Sequence, residues 1–86
     1  MKISVDISLY PLKEVYKEPI HAFIAALDAE EGVEVEPNRM STHIHGEYSI
    51  IMKLLEREIY SVFKEIPDSA FVIKLIGHDR EGAYAK

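Results

Sequence analysis

The sequence predicts an α+β domain of element order β-α-β-β-α-β, with four strands in one antiparallel sheet and two helices on one of its faces. Three observations carry that prediction. The chain opens on a strict period-two alternation, two later segments repeat apolar residues at helical spacing, and a pair of short alternating segments flanks a turn. Its 86 residues, 48% of them hydrophobic, suffice for one core and leave no room for a second.

Ile3, Val5, Ile7 and Leu9 alternate with Ser4, Asp6, Ser8 and Tyr10, the signature of a half-buried strand that Pro11 stops. Pro19 suits the first turn of a helix, with Glu18 beside it at the positive end of the helix dipole. Ile20, Phe23, Ile24 and Leu27 then form one apolar stripe, and Gly32 is placed to end the helix in a left-handed cap. Val33 and Val35 alternate with Glu34 and Glu36, and an Asn38-Arg39 turn leads into a second alternating stretch beginning at Arg39. After Gly46, the residues Tyr48, Ile51, Met52, Leu55, Ile59, Val62, Phe63 and Ile66 give a long helix a wide apolar face, which Pro67 and Asp68 terminate. Phe71 to Ile76 is a nearly continuous apolar run, a fourth strand with Lys74 as its one charge. The order is the ferredoxin-like one, a single domain over residues 1–77 followed by a polar tail over 78–86.

In that architecture the first and third strands are central neighbours. Met40 and Ile44 are then expected to face the helices, and Ser41, His43 and His45 to share the open face with Asp6, Ser8 and Tyr10. Glu34, Glu36 and Lys74 extend or flank this patch. Three readings of it stay open: a solvated sheet face, a subunit interface, and the lining of a pocket for a polar ligand. Thr42 alternates to the helix side, where it either meets a ligand near the sheet edge or packs as a structural residue.

Several function classes lack support. A net charge of −5 argues against nucleic acid as a partner. The absence of cysteine removes disulfides and thiolate metal sites. No stretch has the length and apolarity of a membrane span, and the opening residues carry no secretory pattern, so a cytoplasmic protein without a membrane partner is expected. Hydrolase, phosphate-loop and zinc-protease motifs are lacking, so no residue is read as catalytic and the protein as not an enzyme. His43 and His45 with Asp6 would make a His-His-carboxylate metal site if the register allowed it, the basis of a weaker, metal-dependent enzyme reading. No resident metal or cofactor is expected. His21 and His78 are expected at the surface.

The phrases "ISLYPL" at Ile7 to Leu12 and "MSTHIHGE" at Met40 to Glu47 resemble those of the YkoF-type thiamin- and hydroxymethylpyrimidine-binding domain family and its small single-domain relatives. The resemblance covers nearly the whole chain up to Gly77, although YkoF-type proteins with two domains in tandem differ from this chain, which has one. It implies a ferredoxin-like fold, a homo-oligomer (dimer or tetramer), and binding of thiamin or its hydroxymethylpyrimidine part without chemistry. It also implies ligand-binding roles for Ser8, Tyr10, Ser41 and Thr42. Asp6 and His43 join them as candidates through the polar patch. Physically, Ser8 and Ser41 offer hydroxyls to an aminopyrimidine, Asp6 an acceptor for its amine, and Tyr10 a ring to stack on. The runner-up function is an oligomeric interaction module that uses the open sheet face for subunit pairing.

Overall fold

The computed structural model describes residues 1–12 and 17–78. Six elements follow the expected order: β1 (Lys2–Pro11), α1 (Lys17–Asp28), β2 (Val33–Pro37), β3 (Thr42–Glu47), α2 (Tyr48–Glu65) and β4 (Ser69–Ile76). The strands form one antiparallel sheet in the order β2-β3-β1-β4, a ferredoxin-like arrangement with β1 and β3 at its centre. The predicted tail from 79 onward lies outside the described residues.

The alternation of β1 carries the core. Ile3, Val5, Ile7 and Leu9 are buried against Phe23 and Leu27 of α1, Ile44 of β3, and Ile51, Leu54 and Leu55 of α2. The apolar stripes of both helices therefore meet the same sheet face. Leu54, missed by the sequence reading, is 1% exposed, whereas Tyr48 and Phe63 at the margins of the α2 stripe are exposed. Phe71 of β4 packs on Phe23 and Phe63 with ring centroids 5.3 and 5.4 Å away, which seals one end of the core. At the opposite surface Arg57 donates to Glu58 and Glu30, tying α2 to the α1–β2 connection. Those two hydrogen bonds, to Glu58 first, hold its guanidinium above its ordinary pKa.

Three details differ from the sequence reading. Helix α1 ends at Asp28, and Gly32, with φ of +86°, supplies its left-handed conformation in the turn that enters β2. Strand β3 begins at Thr42 instead of Arg39, because the side chain of Asn38 closes a loop over residues 38–41. Its Oδ1 accepts from the N–H groups of Met40 and Ser41, both at 2.8 Å, and its own N–H donates to the Ser41 carbonyl at 2.9 Å. An Asn side chain that imitates a backbone turn outcompetes strand pairing at these residues. Met40, expected against the helices, is consequently 85% exposed.

The third difference concerns β4. The apolar run is a strand as expected, with Asp6 opposite Lys74 and Ser8 opposite Val72, but the helices cover only its beginning. Val72, Ile73, Leu75 and Ile76 are 59%, 39%, 53% and 40% exposed on a strand at the sheet edge. Among the described residues no helix is long and apolar enough to cross a membrane.

Candidate functional site

A cavity of about 450 Å³ opens where the end of β1, the start of β3 and helix α1 converge. Its walls are Ile7 and Leu9 of β1 and Ile20, Phe23 and Ile24 of α1. The 38–41 loop contributes Asn38, Arg39, Met40 and Ser41. The helix-side residues of β1 build one wall because their alternation already turns them toward α1. The loop builds another because Asn38 holds it in a fixed shape. The volume falls within the roughly 300–1,000 Å³ of small-molecule pockets, and an apolar interior with a few polar groups suits such a ligand.

Four sequence candidates, Ser8, Tyr10, Ser41 and Thr42, line this one cavity. Ser8 donates from its hydroxyl to the Met40 carbonyl at 3.3 Å, bracing the loop against β1. Tyr10 is half exposed near the strand end. The hydroxyls of Ser41 and Thr42 make no hydrogen bond to another described residue, although Thr42 is only 5% exposed. Thr42 lines the cavity and brings a hydroxyl, both donor and acceptor, to its wall. The helix side that its alternation assigned to it is the side on which the cavity opens.

Asp6 and His43 are placed elsewhere. They face each other across the β1–β3 pair on the open side of the sheet. His43 Nε2 lies 3.4 Å from Asp6 Oδ1, and Lys74 Nζ lies 3.9 Å from Oδ2. Asp6 Oδ1 is buried without a hydrogen-bond partner. Neither residue lines the cavity. Ser41, expected beside His43 on the open face, belongs to the loop and to the cavity instead.

His45 and His43 are not equivalent. His45 is 7% exposed, with Nδ1 2.8 Å from Ser4 Oγ and Nε2 3.0 Å from Glu36 Oε1. A carboxylate only accepts, so Nε2 carries the proton and Nδ1 accepts from the Ser4 hydroxyl. This chain rivets β1, β3 and β2 together on the open face. Among the described residues no group of three His, Cys, Asp or Glu side chains is disposed to hold a metal ion.

Sequence reasoning left Asn38, Arg39 and the α1 residues out of the site. The α1 stripe was legible as core, and only the gap between α1 and the sheet end turns part of it into a wall. For Asn38 the available signal was its preference for turns that its own side chain closes.

Fold and cavity together define a small α+β domain with a ligand-sized pocket between its first helix and one end of its sheet. No protein-family model matches the chain, and no curated protein sequence matches it. Solved structures do. A Thermotoga maritima protein provisionally assigned to thiamine biosynthesis or salvage aligns with TM-score 0.79 at 18% identity, over 88% of this chain and 83% of that one. A Streptococcus pneumoniae protein aligns with TM-score 0.79 at 23% identity, over 87% and 84%. A Bacillus cereus domain of unknown function, DUF77, aligns with TM-score 0.73 at 18% identity, over 99% and 89%. At such identities the likeness establishes a shared fold, and function has to be argued from the site.

Proposed function

We propose that this protein binds thiamin or its hydroxymethylpyrimidine part in the cavity beside α1, without transforming it, and that it does so as a homo-oligomer. The observation that carries the reading is the convergence of Ser8, Tyr10, Ser41 and Thr42 on one cavity, where the Ser41 and Thr42 hydroxyls have no hydrogen-bond partner among the described residues. A planar aminopyrimidine fits between the apolar walls, and its ring nitrogens and amine take the hydroxyls as partners. Each such bond contributes about 0.5–1.5 kcal/mol net. The provisional assignment of the Thermotoga protein to thiamine biosynthesis or salvage is in keeping with this ligand. Asp6 and His43 act in this reading from the open sheet face, outside the first contacts of the ligand.

The oligomer is supported by β4. An edge strand with four exposed apolar residues is a template for pairing with a second copy. The same observation favours the second reading, a module whose task is subunit pairing alone.

A titration of isotope-labelled protein with hydroxymethylpyrimidine, followed by backbone amide shifts, separates the two. Ligand binding in the cavity moves the amides of Ser8, Tyr10, Ser41 and Thr42 in a saturable way. Saturable shifts confined to Asp6, His43 and Lys74 would relocate the site to the open face, and no shifts at all would favour the pairing module.

A further inference from the structure

We propose that Arg39 makes the cavity selective for a ligand that carries a phosphate monoester over the corresponding free alcohol. This rests on the ligand-binding reading above and names the chemical form of the ligand.

Arg39 is the one charged side chain among the described lining residues of the cavity. It is exposed, in the 38–41 loop that forms one wall of the cavity. It makes no ion pair or hydrogen bond with another described residue, whereas Arg57 is held by two carboxylates. The chain has fifteen Asp and Glu against ten Lys and Arg, yet among the described residues the one charge on the cavity lining is a cation. Ser41, two residues along the same loop, adds a hydroxyl without a hydrogen-bond partner among the described residues.

The cavity is thus graded. Apolar walls and the Thr42 hydroxyl suit a small aromatic heterocycle, and the loop supplies a planar, permanently charged fork that matches phosphate oxygens. A cationic ring placed beside that fork would be repelled. The preferred ligand is therefore an aromatic heterocycle bearing a phosphate monoester, with its ring inside and its phosphate at Arg39 and Ser41.

Titration calorimetry at low ionic strength tests this on the full chain and on Arg39→Gln. The probes are hydroxymethylpyrimidine, its phosphate ester, thiamin, thiamin monophosphate and inorganic phosphate alone. Each ester is expected to bind the unaltered protein about ten- to a hundredfold more tightly than its alcohol, the range of one charge-assisted hydrogen-bonded pair. That preference collapses in Arg39→Gln and weakens with added salt. Alcohols that bind as tightly as their esters overturn the proposal and leave the ligand-binding reading standing. So does a preference that survives Arg39→Gln, or inorganic phosphate that binds as well as the esters. Failure of every heterocycle to bind overturns both. The unliganded unfolding midpoint of Arg39→Gln checks that the exposed loop substitution has left the fold in place, and Arg39→Lys, which keeps the charge, should retain part of the preference.

Discussion

Thr42 concentrates the relation between stability and function in one side chain. The residue is nearly buried on β3, while its hydroxyl has no hydrogen-bond partner among the described residues. Thr42→Val replaces that hydroxyl by a methyl group of similar size, so the unliganded protein should unfold at the same or a slightly higher temperature. Affinity for hydroxymethylpyrimidine should fall about two- to tenfold, the worth of one hydrogen bond. Unchanged affinity with raised stability would make Thr42 a packing residue only. Gly46 gives a different residue-scale test. A Cβ there would stand 2.8 Å from the Gly32 carbonyl oxygen, a backbone atom that cannot swing away. Gly46→Ala should destabilise the domain by about 1–3 kcal/mol in denaturant unfolding, the usual penalty of overpacking. A null effect would show that the β2–β3 backbones separate easily. The face that Thr42 occupies was legible in its alternation. The cavity it meets was not, because a void depends on the gap between two elements and leaves no periodic trace.

Among the elements, the 38–41 loop and β4 carry the sharpest consequences. Asn38 fixes the loop through two backbone N–H groups, both at 2.8 Å. Water can replace part of that in an exposed turn, so Asn38→Ala should cost about 1 kcal/mol of stability. Because the loop is a cavity wall, ligand affinity should fall as well, and calorimetry on the folded variant reads the two effects separately. For β4, Leu75→Lys places a charge on an exposed edge position. Sedimentation or light scattering should then report a shift from oligomer toward monomer, while an unchanged oligomer would place the subunit contact elsewhere. Strand β1 and helix α2 were readable because each repeats one clear period over many residues, and β4 because it is a nearly continuous apolar run. The start of β3 was misread by three residues, since Met40 and Ser41 fit the alternation but Asn38 captures their amides. The same Asn38 moved Ser41 from the open face into the cavity.

At the scale of the molecule, the fold follows from sequence pattern more directly than the site does. Alternation in β1 and the apolar stripes of α1 and α2 suffice to define a sheet covered by helices on one side. The site arises at the end of that sheet, where regular structure gives way to a loop, so its residues share no period. Solved structures at 18–23% identity share this architecture. The ligand is consequently an inference from the resemblance of the β1 and β3 phrases to a thiamin-binding family, supported by four side chains that line a cavity of about 450 Å³. Thermal unfolding of the tag-free protein, with hydroxymethylpyrimidine and thiamin in separate titrations, tests that inference most directly. Ligand at a hundred times its dissociation constant adds about 2.7 kcal/mol, which in a domain this small raises the midpoint by several degrees. A saturable rise of that size with either compound is the expected result. An unmoved midpoint with both, up to millimolar concentration, would contradict the assignment and leave the β4 pairing surface as the functional feature of the domain.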